Sequence, residues 1–239
     1  SITKSDTVDI ANTSTGQLSF DDDGPTLSVT ADTTVAATSW ALNLDETQGG
    51  TDRYATNDTA DTAVNDDLTG AIARQTTTIT NGLSTLFGIT ASTGADGGTV
   101  ATSGTLSLVL KGANQSGQVA TNLTATDGGA IHLVMGTGAG GTAGQILGMD
   151  TDGHTVFSIA IVSNQLQVTL NEALNHSDDG LDNKFDDVLT LLTTGTGSAV
   201  QVKYTVTQAD ADGDSITKSD TVDIANTSTG QLSFDDDGP

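Results

Sequence analysis

The chain has 239 residues, with 31 Asp plus Glu against 7 Lys plus Arg, a formal net charge of −24 and no cysteine. Charge on that scale repels nucleic acid and anionic lipid surfaces, so neither is expected as a partner, and divalent cations are its natural complement. The 35% hydrophobic residues fall in periodic runs, which argues for a folded chain over a disordered one, and without cysteine there is no disulfide framework. No apolar run approaches the roughly 18 residues of a membrane-spanning helix, so no direct membrane insertion is expected.

The first 25 residues, SITKSDTVDIANTSTGQLSFDDDGP, return unchanged at 215–239. The period is therefore 214 residues (215 − 1 = 214), far above that of solenoid repeats and long enough for each unit to bury its own core. The expected organisation is one unit of a tandem array. Residues 1–24 are the tail of the preceding repeat, its final strand and linker, and 25–239 are one β-sandwich unit ending in the linker to the next. Identical segments compete for one sheet edge, so 215–224 are expected to complete their own domain and 1–20 to lack a native partner.

In the tail, Val8 and Ile10 alternate with Thr7 and Asp9 as in a half-buried strand, and DDDGP at 21–25 is a stop signal. Strands are predicted at 26–31, with Leu27 and Val29 inward, and at 38–46, where Trp40, Leu42 and Leu44 share a face and Trp40 anchors the core. From Thr47 to Asp67 periodicity dissolves into a long polar loop carrying Asp52, Asp58, Asp61, Asp66 and Asp67, a length that is normally functional or tied down. A strand at 76–80 and a helical turn near Leu86 and Phe87 follow. Further strands are predicted at 104–111, 130–135, 155–162, 165–170 and 199–207. TVFSIAIV at 155–162 is apolar on both faces, as in a central strand. The stretch 171–192 leaves a loop plus helix and a loop plus strand both open. Short strands, turns of Gly, Asn, Asp and Thr, and no long 3.6-residue period predict an all-β fold, an elaborated immunoglobulin-like β-sandwich.

Acidic clusters carry the chemistry. Asp210, Asp212 and Asp214 in DADGD alternate just after a strand and can converge as the backbone turns at Gly213, a hard-oxygen set suited to Ca²⁺. Asp21, Asp22 and Asp23 and their copies Asp235, Asp236 and Asp237 sit at the predicted junctions, where mutual repulsion calls for a cation or for water. Neither cluster is a full EF-hand loop. Asp45 and Glu46, Asp150 and Asp152, and the acids of 178–187 fit either metal ligation or turn capping. Gly136, Gly138 and Gly141 match G-x-G-x-x-G after a strand, but no helix pattern follows, so a hairpin loop is expected there. His132, His154 and His176 match no zinc signature, and no nucleophile elbow is present. No enzymatic activity is expected.

LDET at 44–47, DR at 52–53, DDL at 66–68, LFG at 86–88, TDGGAIHL at 126–133, TVFSIAI at 155–161, YTVTQADADGDS at 204–215 and LSFDDDGP at 232–239 resemble, in order, the extender repeats of giant bacterial repeats-in-toxin (RTX) adhesins secreted by type I systems. The resemblance implies an extracellular protein of the bacterial cell surface, serving cell adhesion and biofilm formation, whose β-sandwich copies bind Ca²⁺ within and between domains. It assigns the ions to Asp210, Asp212 and Asp214 within a domain, and to Asp21 to Asp23 with Asp235 to Asp237 at the joints. The partners it implies are neighbouring identical repeats in the same chain, while a distal region binds the adhesin's ligand. A rival reading is a carbohydrate- or protein-binding β-sandwich module using loops 47–67 and 136–144. A glycosidase would need two carboxylates at catalytic spacing.

Overall fold

The structure, a computed structural model, describes residues 3–8, 16, 18, 22–32, 40–46, 71–126, 129–139, 142–176 and 187–236. Asp21, Asp237, the loop at 47–67 and the acids of 178–186 fall outside them. Period-two apolar runs become strands: β1 Thr26–Ala31, β2 Leu42–Asp45, β3 Ala73–Thr76, β4 Phe87–Ser92, β5 Thr105–Lys111, β6 Val119–Thr124 and β7 Ala130–Met135. They continue with β8 Ile146–Met149, β9 Thr155–Val162, β10 Gln165–Leu170, β11 Val188–Thr190, β12 Ala199–Ala209, β13 Ser215–Asn226 and β14 Leu232–Asp235. A 3-10 turn, Leu83–Leu86, precedes β4 where the sequence predicts a helical turn.

The chain is a β-sandwich. A six-stranded antiparallel sheet runs β3-β10-β9-β8-β7-β6, and the sheet β13-β12-β5 lies across it, with β5 against β7, β8 and β9. The β1-β4 pair packs on β13 and β12, and β11-β14-β2 continues beside β3. Between the layers the buried side chains form one continuous cluster that includes Trp40, Leu44, Phe157, Val200 and Phe234. Phe157 meets Phe234 with ring centroids 5.3 Å apart, a tilted pair that adds to their area burial. As expected, Leu166, Val168 and Leu170 on β10 and Val200, Val202, Tyr204 and Val206 on β12 all face inward.

Several local expectations shift. The strand placed at 76–80 ends at Thr76; Thr77 N still donates to Leu166 O at 2.8 Å, and two residues on, the backbone groups of Ile79 are taken over by the Gln165 side chain. Its Oε1 accepts from Ile79 N at 3.1 Å and its Nε2 donates to Ile79 O at 2.8 Å. Strand β9 is central, but only its start is covered on both faces: Val156 and Phe157 are buried, while Val162 is exposed. Of the inward series on β5, Leu108 is buried and Leu106 and Leu110 are half-buried; Met135 is exposed. The glycine-rich stretch links β7 to β8 as an antiparallel hairpin, closed by Gly136 N donating to Gln145 O at 2.9 Å, so a dinucleotide turn into a helix is ruled out. In 171–192 the described part of the second element is the strand β11.

The repeated segment takes two environments. In the second copy, β13 pairs antiparallel with β12, and β14 pairs parallel with β2 and antiparallel with β11. In the first copy Val8 is 90% and Leu18 65% exposed, whereas their counterparts Val222 and Leu232 are half-buried and fully buried. Asp6 and Asp220 keep the same local bond, accepting from the following backbone N–H at 2.9 Å. Among the described residues, Asp220 alone adds a long-range one, accepting from Ala31 N at 2.7 Å. Identical substitutions should therefore diverge. Leu232→Ala is expected to cost about 2–5 kcal/mol in urea unfolding, and Leu18→Ala to stay within about 0.5 kcal/mol of wild type.

Candidate metal centre

The β12–β13 hairpin is too tight for its three aspartates to avoid one another. Asp210 N donates to Asp214 O at 3.1 Å, and Asp210 Oδ1 accepts from Gly213 N at 3.1 Å and Asp214 N at 2.8 Å. Gly213 stands at φ 112°, in the region that side chains disfavour, which lets the loop reverse within DADGD. The carboxylates of Asp210, Asp212 and Asp214 lie within 4.8 Å of one another, as the spacing predicts. Asp210 Oδ2 is buried and meets no hydrogen-bond donor among the described residues, a costly state for a carboxylate oxygen without a cation.

The upstream tail enlarges this cluster. Asp22, Asp96 and Asp212 also lie within 4.8 Å of one another, so Asp212 belongs to both groups and five carboxylates converge. The tail is seated on the β4–β5 turn: Asp23 Oδ2 accepts from Ala95 N at 2.9 Å. A Cβ built on Gly94, at φ 69°, would stand 2.5 Å from the Asp23 carbonyl oxygen, so this close approach requires glycine. Gln208, fully buried at the end of β12, holds the other side of the turn, its Oε1 accepting from Ala101 N at 2.6 Å and its Nε2 donating to Thr99 O at 3.2 Å.

Asp22 is thus in the cluster and Asp23 caps the turn beside it, while Asp235 and Asp236 join no such group among the described residues. Asp235 Oδ2 is 3.5 Å from Asn43 Nδ2, and Asp236 N donates to Asp187 O at 3.2 Å. The residues that the sequence reading missed are Asp96 and Gln208. The A-D-G-G at 95–98 does announce a turn, but its meeting with the tail is a long-range event that no local pattern encodes.

Electrostatics follow the crowding. The Asp210 side chain, by sharing a hydrogen bond with Asp212, pushes the Asp212 carboxyl above the ordinary range. Asp22 does the same to Asp214, with Asp210 and Asp96 adding repulsion. The Asp212 contact and the backbone N–H groups of Gly213 and Asp214 hold Asp210 low. A separate buried pair lies near Asp236: Glu46 Oε1 is 3.4 Å from His176 Nε2, and Glu46 Oε2 accepts from Leu174 N at 2.9 Å. Burial opposes charge on His176, yet Glu46, Asp236 and the Asp187 carbonyl hold its pKa above the ordinary value.

The donor set is all oxygen, contributed by a glycine-containing turn and two further segments, and it fits Ca²⁺, which accepts 6–8 oxygens in flexible geometry. By contrast, a groove of about 660 Å³ bordered by Phe87, Ile89, Val100, Ala101 and Tyr204 has no Asp, Glu or His in its lining and supplies no acid–base pair. No helix among the described residues is long and apolar enough to cross a membrane.

For a carboxyl whose pKa is raised on folding, the folded state holds protons that the unfolded state releases. The stabilisation from Asp212 and Asp214 is therefore present below about 3.8, the ordinary value, and is lost as pH rises through their higher folded values. In EDTA, melting temperature is expected to fall as pH rises above about 3.8, and Asp214→Asn to narrow that fall; thermal melts from pH 4 upward check it.

Residues 41–225 match the family model described as a domain of unknown function, DUF5801. No curated protein and no solved structure matches the chain significantly.

Proposed function

The chain belongs to the DUF5801 family, and we propose that it acts as a calcium-stabilised structural extender of a bacterial surface adhesin, stiffening a tandem array that projects a distal ligand-binding region from the cell. The observation that carries this reading is the meeting of Asp22, from the tail of one repeat, with Asp96, Asp212 and Asp214 of the next. Residues 1–25 and 215–239 are identical, so in an array Asp236 of each unit takes, toward its successor, the place that Asp22 takes here. Both sides of a joint then contribute ligands to one ion, and the ion removes the freedom of the linker to bend.

The cluster's residues divide the work. Asp210, Asp212, Asp214 and Asp96 hold the ion on the unit, Asp22 brings the preceding unit to it, and Asp23 fixes the tail on the β4–β5 turn. The bound ion supplies positive charge that offsets the repulsion among them. Extracellular calcium sites bind with Kd of roughly 10⁻⁴–10⁻³ M, so such a chain stays unloaded in the cytosol and loads outside the cell. At about 100 times Kd, one ion adds roughly 2.7 kcal/mol to folding stability.

Two melts separate this reading from a solvated acidic turn. Calcium is expected to raise the melting temperature over EDTA. Asp212→Asn is expected to raise it in EDTA, by relieving repulsion, and to lower it in calcium, by deleting a ligand. If the substitution shifts both melts the same way, the calcium role fails.

A further inference from the structure

The turn between β8 and β9 gathers a second, chemically different set. Asp150 is 1% exposed, and its Oδ1 accepts from Asp152 N at 3.0 Å and His154 N at 2.8 Å, while its Oδ2 stands 3.2 Å from His154 Nδ1. Glu172, just past β10, brings its carboxylate to the same place, and one ligand atom from each of the three residues lies within 4.8 Å of the others. Its backbone is fixed there: Asn171 N and Glu172 N both donate to Val156 O, at 2.7 and 3.3 Å, and Asn171 Nδ2 donates to Thr155 O at 3.0 Å. The sequence gives no zinc spacing because Glu172 lies 18 positions beyond His154 (172 − 154 = 18) and arrives only through the β9–β10 hairpin.

Asp150 is held by turn N–H groups and His154, and a cation beside it and Glu172 would offset the remaining repulsion between the two carboxylates. The nitrogen donor decides which ion would, because Ca²⁺ takes oxygen ligands, whereas imidazole with carboxylates suits first-row transition ions and zinc. Ligands bonded to a tetrahedral zinc at about 2.0–2.2 Å stand roughly 3.4 Å apart, close to the His154–Asp150 separation of 3.2 Å. The His154 side chain is 59% exposed, so the site opens to solvent and leaves further positions to water.

We propose that Asp150, His154 and Glu172 form a binding site for a divalent transition-metal ion, distinct from the acidic cluster between β12 and β13. Zinc is the probe. The inference stands independently of the calcium reading, and its test keeps the two apart by saturating the whole chain with Ca²⁺ before Zn²⁺ is titrated calorimetrically.

One zinc site is expected, weakened by about tenfold or more in His154→Ala and in Glu172→Gln, and unchanged in His132→Ala. Melts of each variant in EDTA establish that it is folded. Cobalt needs no variant: the wild-type chain loaded with Co²⁺ should show the intense visible bands of a low-coordinate nitrogen–oxygen site. Zinc binding that is absent, or equally tight in His154→Ala, or a cobalt spectrum like that of the aqueous ion, overturns the proposal.

Discussion

Repulsion between carboxylates is the constraint around which this molecule is arranged. The β12–β13 turn closes through the backbone groups of Asp210, Gly213 and Asp214, and that closure forces three acids together whatever their charge. Backbone hydrogen bonds spread part of the negative charge of Asp210, but the side chains that act on Asp212 and Asp214 are acids, with Asp22 and Asp96 adding to the crowd. Elsewhere the chain uses ordinary devices. Asp150 is buried against turn N–H groups, and Glu46 is paired with His176. Among the described residues, the end where residues 22–23 arrive is where five acids gather without a histidine, which is why the proposed calcium ion belongs there.

The repeat makes the molecule its own control. One sequence, read twice, gives exposed Val8 and Leu18 at one end and the strands β13 and β14 at the other. The bond from Asp6 to its neighbour survives in both copies because it is local, while the Asp220 bond to β1 exists only where the sandwich edge is present. Strand formation in this segment is thus set by tertiary packing, in keeping with the strong context dependence of strand preferences. The DDDGP tail has the same double character. Its first copy faces the β4–β5 turn and the acidic hairpin, and its second faces Asn43, Asp187 and His176.

Much of the architecture was legible. Clean alternation marked β1, β2, β5, β7, β10 and β12, and the spacing of Asp210, Asp212 and Asp214 marked their convergence. What escaped had weak local signals. In β6, polar Thr121 stands on the inward face between buried Val119 and Leu123, so the period of two is hidden in the sequence. In β4, only Phe87 is buried and the remaining positions alternate between half-buried and exposed among small residues. Asp96, Gln208 and Glu172 act through contacts far along the chain, and a single sequence does not report which distant loops meet.

The account stands or falls on whether a cation shared across a joint holds neighbouring units in line. Small-angle scattering of a two-repeat protein, in calcium and then in EDTA, tests this most directly. An extended particle whose maximum dimension becomes smaller and more variable when calcium is removed is the predicted result. The same maximum dimension in both solutions would contradict it.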